Sequence, residues 1–269
     1  MRSRLYIPLL LLGTAIFLAA CAGTGRVRYD SPEEAYERGY ELYEQERYDR
    51  AIRYFQGVFD YGRTTESAAD AQLYLAHSYF ENGDYILAAN EYTRFLGTYR
   101  NDPRAEGAEY GRALSYYHLS PQYQMDQTNT LQALTYLQLF LDRFPNSDLK
   151  DEAEEHIAEL REKLAHKEFA AGEMYERRGY FQAAAIQFES VFDEYPDTRW
   201  ADDALVGAMR SYIAFADRSV AARQPERLRN AINNYERLIQ LFRDSPLIAE
   251  AEALYERASV QLEQLISGT

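Results

Sequence analysis

The sequence predicts an all-α protein made of five helical hairpins, followed by one further helix that covers the C-terminal end. Ala, Leu, Glu, Arg and Gln are abundant, whereas the 269 residues include only 14 Gly and 8 Pro, a composition that favours helices. From residue 32 to about residue 265, apolar residues return every three or four positions, and no segment alternates as a strand would. Hydrophobic residues make up 46% of the chain, which is enough to build a packed core.

An internal repeat defines the architecture more closely. Each repeat has a small residue in its first helix and an Ala in its second, and in three repeats the two are twelve residues apart. A small residue lets the second helix approach closely, while aromatic residues fill the space between neighbouring hairpins. This pattern is typical of tetratricopeptide repeats, so we predict a tetratricopeptide-repeat solenoid of five hairpins plus a C-terminal capping helix. The pairs are Gly39 and Ala51, Ala76 and Ala88, Gly111 and Ala133, Gly172 and Ala184, and Gly207 and Ala231.

The N-terminal segment has the features of a lipoprotein signal peptide. Two arginines precede an apolar run over residues 5–18, which is shorter than the roughly 20 residues of a membrane span. The run ends in Leu-Ala-Ala followed by Cys21, the only cysteine of the chain, a pattern typical of the site read by the lipoprotein peptidase. We therefore expect residues 1–20 to be cleaved and Cys21 to carry the lipid, with a chance free thiol as the alternative.

The residue after Cys21 indicates the destination. It is Ala22, rather than the Asp typical of inner-membrane lipoproteins, so we expect the protein to be lipid-anchored in the outer membrane, on its periplasmic face. Three acyl chains would exceed the two signals that stable anchoring needs. With no second cysteine, the mature body cannot form an internal disulfide.

The elements after the anchor follow in order. Residues 21–31 form a polar, lipidated tether, and Ser31, Pro32 and Glu34 combine a cap, a first-turn proline and a capping box at the start of the first helix. We assign repeats 1–3 to residues 32–145, and repeats 4–5 with the capping helix to residues 146–265. The surplus length of the third and fifth repeats lies inside their hairpins, at residues 120–127 and 219–226. The fourth repeat begins with a long helix.

The charge excludes some classes of partner. With 43 acidic against 29 basic residues, the formal net charge is −14, and loss of residues 1–20 would make it −16 because Arg2 and Arg4 leave with them. Such a surface repels phosphate backbones and anionic membranes. We therefore expect no nucleic-acid binding, and membrane attachment only through the lipid anchor.

Two turns and one helical segment carry a resemblance to a known family. The turns read Phe-Pro-Asn-Ser at 144–147 and Tyr-Pro-Asp-Thr at 195–198, and between them lies LREKLAHKEFAAGEMYERRGYFQAA at 160–184. Together with the signal ending at Cys21, these segments resemble the BamD family, the lipoproteins of the bacterial outer-membrane barrel assembly machinery. The resemblance extends from residue 21 to about residue 242.

The resemblance implies a five-repeat solenoid anchored to the inner leaflet of the outer membrane. Its C-terminal half would bind the POTRA domains of a BamA-like barrel protein, and its N-terminal half would receive the C-terminal signal strand of unfolded outer-membrane proteins. Other accessory lipoproteins are further candidate partners. The sequence departs from the family pattern in its extra helix after the fifth repeat. It also has Gln187 where a family arginine at the BamA contact is expected.

A tyrosine stripe on the first helix is the candidate site for client polypeptide. Tyr36, Tyr40 and Tyr43 are spaced i, i+4 and i+7, so they share one helix face, which the repeat register places in the groove. His77 and Phe80 take matching positions in the second repeat. Exposed tyrosines make rigid amphipathic contacts that suit an extended peptide. The alternative is that these rings only pack on one another.

Arg177 and Arg178 are the candidate contact for a partner protein. They stand at the bend of the fourth hairpin in an otherwise acidic chain, and two adjacent cations can pair with an acidic partner surface. Cations are also favoured at the C-terminal end of any helix, which is the alternative explanation.

No pattern of residues indicates catalysis. The four histidines, at positions 77, 118, 156 and 166, have no metal-site spacing, and we expect them to be exposed or to line the groove. Neither a nucleophile motif nor a phosphate-binding loop is present. We therefore predict a binding scaffold with no catalytic residue, metal or cofactor. Two other functions stay open: another periplasmic tetratricopeptide lipoprotein, such as a secretin pilotin or cell-envelope coordinator, and an envelope hydrolase.

Overall fold

The computed structural model describes residues 27–267, so the predicted signal peptide and Cys21 lie outside the described residues. Within this range the chain forms eleven α-helices and no strand. Single 3₁₀ turns lie at Phe59–Tyr61 and Ala221–Arg223. The helices are α1 Pro32–Glu44, α2 Tyr48–Val58, α3 Ala68–Glu81, α4 Tyr85–Thr98, α5 Ala105–Leu119, α6 Thr128–Arg143, α7 Lys150–Arg177, α8 Phe181–Glu194, α9 Ala201–Asp217, α10 Gln224–Leu241 and α11 Ile248–Ser267.

Consecutive helices pair as the repeat predicts. Five hairpins form, from α1–α2 to α9–α10, with side chains of α5 and α6 in one buried cluster, and α11 packs against both α9 and α10. The surplus of the third hairpin is the connection between α5 and α6, and that of the fifth includes the 3₁₀ turn before α10. The predicted long helix is α7, with 28 residues. The all-α fold of five hairpins plus a terminal helix is thus confirmed.

The start of α1 follows its sequence signals. The Ser31 hydroxyl accepts a hydrogen bond from the Glu34 backbone N–H at 3.1 Å, and Pro32 is the first helical residue. The Glu34 carboxylate accepts the backbone N–H of Asp30 at 2.6 Å, one residue further out than a standard capping box. Both contacts satisfy donors at the chain's entry into the helix.

Three hairpins share one turn geometry. The residue that reverses the chain has a left-handed backbone in each, with φ of +57° at Glu46, +82° at Gly83 and +77° at Gly179. The next backbone N–H then reaches back over five residues to a carbonyl of the first helix, as from Arg47 to Leu42 at 2.9 Å. This is the hydrogen bond of a Schellman motif.

The chain divides into two compact units, Met1–Ala105 and Glu106–Thr269. In the first, the described hairpins α1–α2 and α3–α4 enclose a core of small and large apolar side chains. These include Ala35, Leu42, Ala51, Phe55, Val58, Ala71 and Leu75. The predicted division of the chain at residue 145, between repeats 1–3 and repeats 4–5, stays a prediction.

The second unit contains α5 to α11, and its close helix contacts depend on small residues. A Cβ added at Gly172 would come within 2.7 Å of the Phe188 ring, and one added at Gly207 within 2.9 Å. Phe188 of α8 is fully buried. Its ring packs against a glycine of α7 on one side and a glycine of α9 on the other, where a larger residue would collide with it. This is the close approach that the small position of the repeat predicts. None of the helices within residues 27–267 combines the length and apolar character of a membrane span.

Candidate functional site: an aromatic surface and a basic hairpin bend

The predicted tyrosine stripe of α1 packs around a fourth tyrosine, Tyr74 of α3. The ring of Tyr74 lies 5.0 Å from that of Tyr40 and 5.3 Å from that of Tyr43, both edge to face, and 6.2 Å from that of Tyr36. Edge-to-face pairs at such distances are favourable. The four rings therefore form one cluster in the first unit, which we call the aromatic surface.

The members of this cluster differ in how far they face solvent. Tyr40 keeps 36% of its surface exposed, whereas Tyr36 and Tyr43 are half-buried and pack on the core of the first unit. Burial, aided by the charge of Asp70, raises the pKa of Tyr36 to about 12. Burial also raises the pKa of Tyr43 to about 12, with Glu81 contributing. Both phenols are therefore neutral at physiological pH.

Tyr40 presents the accessible edge of the cluster. A hydrogen bond with the side chain of Tyr74 is the main reason that the pKa of Tyr40 is raised. The stripe is therefore both packed on itself and partly open. The contact with client polypeptide stays a prediction at Tyr36, Tyr40 and Tyr43.

His77 extends the aromatic surface along α3. Its imidazole lies 5.7 Å from the Tyr74 ring and 5.6 Å from the Tyr92 ring. Burial, with a smaller effect from the Arg104 cation, lowers the pKa of His77 to about 4. The imidazole is therefore neutral at physiological pH, and it acts in this cluster as an aromatic ring with one donor and one acceptor. Phe80 packs edge to face on Tyr85 at 5.4 Å, and contact of His77 and Phe80 with client polypeptide stays a prediction.

An ion pair lies at the edge of this surface. The Arg104 guanidinium donates to Asp70 at 2.5 Å and to Asp102 at 2.8 Å. These partners raise the pKa of Arg104 and lower that of Asp102. The charge of Asp70 contributes to the raised pKa of Tyr36, and the charge of Arg104 contributes to the lowered pKa of His77. The ion pair therefore lies close enough to add a polar rim to the neutral aromatic surface. Such a patch can stack on apolar side chains and hydrogen-bond to a backbone.

Sequence reasoning missed Tyr74, the central ring. Tyr74 lies two residues before the small residue Ala76, and the equivalent residue of the first hairpin, two before Gly39, is Glu37. Comparison of the repeats therefore does not predict an aromatic ring at this position. The spacing of Tyr74, three residues before His77, is the signal that could have placed it on the same helix face.

The second candidate site is the bend of the fourth hairpin. Arg177 and Arg178 are exposed at the end of α7, and the ion pair that Arg177 forms with Glu173 within the described residues is long, at 3.6 Å. A pair between exposed side chains at this distance contributes little, which leaves both cations accessible to a partner. Their role in partner contact stays a prediction.

An apolar pocket of about 500 Å³ follows these arginines in the chain. Tyr180 and Ile186 lie on it with 61% and 55% of their surfaces exposed. The Arg218 guanidinium forms another part, 4.4 Å over the ring of Phe181, and Phe215 of α9 completes it. Exposed apolar side chains beside cations are typical of protein interfaces, where aromatic residues and arginine are enriched.

Gln187, where the resemblance expects an arginine, has a partner within its own hairpin. Its side-chain amide donates to the Glu168 carboxylate of α7 at 2.7 Å. In this chain Gln187 therefore links α8 to α7 by a hydrogen bond within the hairpin.

The histidines are packed more closely than the sequence suggests. Besides His77, His166 stacks between Tyr123 at 3.7 Å and Trp200 at 4.2 Å, and His156 lies 4.2 Å from the Tyr117 ring. Only His118 is exposed. No group of three or more candidate metal ligands comes together in the described part of the chain.

Comparison with known proteins places the chain in a family. It is 27% identical over 204 residues to the outer membrane protein assembly factor BamD of Caulobacter vibrioides, which covers 74% of this chain and 67% of that one. It is 23% identical over 231 residues to BamD of Neisseria meningitidis serogroup A, covering 80% and 86%. A solved TPR repeats protein from Bacteroides fragilis is similar at 12% identity and a TM-score of 0.47, covering 87% of this chain and all of that one. Residues 28–222 match the family described as YfiO, outer membrane lipoprotein, and the chain therefore belongs to the YfiO family of outer membrane lipoproteins.

Proposed function

We propose that this protein is an outer-membrane protein assembly factor that works as a binding scaffold, without catalysis. The relatives that carry this name match most of the chain. We further propose that Cys21 carries the lipid anchor and that the helical body lies on the periplasmic face. The protein would bind unfolded outer-membrane proteins through its first unit and a POTRA-containing barrel protein through its second.

The aromatic surface is the observation that carries the client-binding proposal. Tyr40 is its accessible edge, Tyr36, Tyr43 and Tyr74 support it, and His77 continues it with a neutral ring. Membrane-barrel strands end in aromatic girdles and alternate apolar with polar residues. A neutral surface that offers ring faces and hydroxyl donors suits such an extended segment better than a charged one would.

The first experiment measures binding of a fluorescent peptide that corresponds to the C-terminal strand of an outer-membrane barrel protein. Replacing Tyr36, Tyr40 and Tyr43 together with Ala should abolish measurable binding. Because Tyr36 and Tyr43 also pack on the core, the sharper variant is Tyr40→Ala, which we expect to weaken binding about five- to tenfold, the cost of one aromatic contact.

Tyr61→Ala is the matched control, because Tyr61 is an exposed tyrosine of the same unit, with 47% of its surface accessible, and the ring that it contacts among the described residues is Tyr29, outside the stripe. We expect its affinity to equal that of the unmodified protein. Unchanged affinity in both the Tyr40→Ala and the folded triple variant would overturn the client site at this surface.

The second experiment tests the partner protein. Co-purification of the acylated protein from its own outer membrane in mild detergent should recover a POTRA-containing barrel protein in near-equal amount. Recovery of a secretin or a peptidoglycan-linked complex instead would overturn the proposed function while leaving the fold intact.

The partner contact is tested by reversing charge at the hairpin bend. The double variant Arg177→Glu and Arg178→Glu should lower recovery of the barrel protein at least fivefold, because like charges across an interface repel. Arg229→Glu with Arg243→Glu is the control, since these two arginines are also exposed in the second unit. Equal loss in both double variants would assign the effect to net charge and contradict the proposed contact.

A further inference from the structure

Arg112 lies on α5 in the second unit. Its position in the third hairpin is equivalent to that of Tyr40 in the first hairpin and of His77 in the second. Each follows the small residue of the first helix directly, after Gly111, Gly39 and Ala76 respectively. At this position the first two hairpins carry rings, whereas the third carries a half-buried cation.

The Arg112 guanidinium is held against aromatic rings. It lies 4.2 Å over the ring of Tyr136 on α6, and that ring stacks on Tyr116 with centroids 5.1 Å apart and planes at 25°. A guanidinium on an aromatic face keeps its plane fixed while its in-plane N–H groups stay directed outward. The arrangement therefore orients the N–H groups of Arg112 before any ligand is present.

This guanidinium has no acidic partner among the described residues. Its Nε atom is buried and has no hydrogen-bond acceptor there. Burial lowers the pKa of Arg112, and the groups that oppose the shift are the phenols of Tyr136 and Tyr116, not a carboxylate. A buried donor without an acceptor is unfavourable and calls for an explanation.

The acidic side chain nearest to Arg112 along α5 is paired with another residue. Glu109, one turn before Arg112 on α5, forms its ion pair with Arg143 of α6 through Oε1, while its Oε2 is buried without a hydrogen-bond partner among the described residues. Arg210, which is also half-buried in this unit, has both Glu176 and Glu250 as partners. In a chain with 43 acidic residues, a half-buried arginine that forms an ion pair with none of them is open to an anionic group from another molecule.

We propose that Arg112, with Tyr116 and Tyr136, forms a binding site for a carboxylate of a bound polypeptide. The planar guanidinium matches a carboxylate in two parallel hydrogen bonds, which are stronger in a partly desolvated site. The tyrosine faces beside it suit an apolar or aromatic side chain next to that carboxylate. A polyanion such as nucleic acid does not fit, because the net charge of −14 repels it.

The carboxylate has two possible sources, the C-terminus of the peptide or an aspartate or glutamate side chain. The site belongs to the second unit and the aromatic surface to the first, and the inference does not rest on the client-binding proposal. Loss of peptide binding through Tyr40→Ala would leave it intact.

The first test follows the side-chain Nε–H resonance of Arg112 in the full-length protein, in detergent and labelled with ¹⁵N. It is titrated with three peptides: acetyl-Ala-Tyr-Ala-Phe with a free carboxylate, the same peptide as its C-terminal amide, and amidated acetyl-Ala-Tyr-Glu-Phe. We expect at least one carboxylate-bearing peptide to shift this resonance and to bind about tenfold more tightly than the uncharged amide.

The pattern among the peptides identifies the source. Binding of only the free-carboxylate peptide assigns the site to a chain terminus, and binding of only the glutamyl amide assigns it to an acidic side chain. Comparable binding of both means that any carboxylate is accepted. The proposal is overturned if the uncharged amide binds within twofold of both carboxylate peptides, or if none of the three shifts the resonance.

The second test uses variants. Arg112→Gln should abolish the preference for the carboxylate peptides, and Arg112→Lys should retain part of it, because lysine keeps the charge and loses the planar pair of donors. Arg229→Gln, at an exposed arginine of the same unit, should bind like the unmodified protein. Unchanged preference in folded Arg112→Gln overturns the proposal. If that variant does not fold, the resonance of the unmodified protein decides.

Discussion

His77 lies between the rings of Tyr74 and Tyr92, and its burial has a consequence for stability. Its pKa is about 4 in the folded protein, against about 6.5 in an unfolded chain. Above pH 7 the imidazole is neutral in both states. As the pH falls from 6.5 towards 4, the unfolded state binds a proton that the folded state does not, so the free energy of unfolding decreases.

We predict that His77→Gln removes this part of the acid sensitivity. Between pH 7.5 and pH 5.0, the unmodified protein should lose about 1–2 kcal/mol more of its unfolding free energy than the variant does. Urea unfolding at the two pH values measures the difference. Equal losses in the two proteins would contradict the low pKa.

Glu46 is a second residue whose local environment predicts a measurable effect. It has a φ of +57° at a turn where the second and fourth hairpins have Gly83 and Gly179, and an L side chain in this conformation costs about 1 kcal/mol. We therefore predict that Glu46→Gly raises the free energy of unfolding by about 0.5–1 kcal/mol. Gly83→Ala, the reverse change at the equivalent turn, should lower it by about 1 kcal/mol. Chemical denaturation of both variants checks the pair, and a destabilised Glu46→Gly would show that the side chain stabilises the turn.

At the scale of elements, α11 covers the last hairpin. Ala251 and Ala258 are fully buried in it, and Leu254 packs on the core between α9 and α10. Ion pairs from Arg210 to Glu250 and from Arg257 to Asp217 join the same helices. The helix therefore closes an apolar face that the fifth hairpin would otherwise expose.

A charge placed on the buried face of α11 tests this. We predict that Ala258→Glu lowers the free energy of unfolding by about 3 kcal/mol or more, because it buries a carboxylate without a partner. Ala253→Glu, on the exposed face of the same helix, should change it by less than about 0.5 kcal/mol. Thermal melts of the two variants give the comparison, and similar behaviour of both would mean that α11 does not pack as described.

The elements could be predicted because their signals are local. The twelve-residue interval from small residue to Ala, the three-to-four-residue apolar spacing and the cap at Ser31 each depend on neighbours in sequence. Tyr74 and Arg112 could not be assigned in this way. The role of Tyr74 depends on α3 packing against α1, and the isolation of Arg112 depends on Glu109 pairing with Arg143. Both depend on contacts between helices that are distant in sequence, and these contacts are known only from the folded structure.

At the scale of the whole molecule, the two proposed contacts lie in separate compact units. The aromatic surface belongs to the first, and the bend with Arg177 and Arg178 belongs to the second. Variants at the two places should therefore have separable effects: Tyr40→Ala lowers peptide affinity, and charge reversal at the bend lowers recovery of the barrel protein.

The proposed attachment of the whole protein to the membrane depends on one residue, Cys21. The acidic body, with a formal net charge of −16 after residues 1–20 and their two arginines are removed, is repelled by anionic lipid, so the expected attachment is the lipid on Cys21. We predict that Cys21→Ala removes both the acyl mass and the cleavage that precedes acylation. In the host bacterium the variant should retain residues 1–20, and intact-mass measurement detects this.

Fractionation of the cell envelope separates acylation from retention of the signal segment. A second variant replaces residues 1–21 with a signal peptide cleaved before position 22, which delivers the body to the periplasm without lipid. We expect it in the soluble periplasmic fraction, with the unmodified protein in the outer-membrane pellet, because three acyl chains hold a protein far more firmly than surface contacts do. If the lipid-free body still sediments with the outer membrane, its protein partners suffice for localisation, and the anchor then serves to orient the scaffold rather than to retain it.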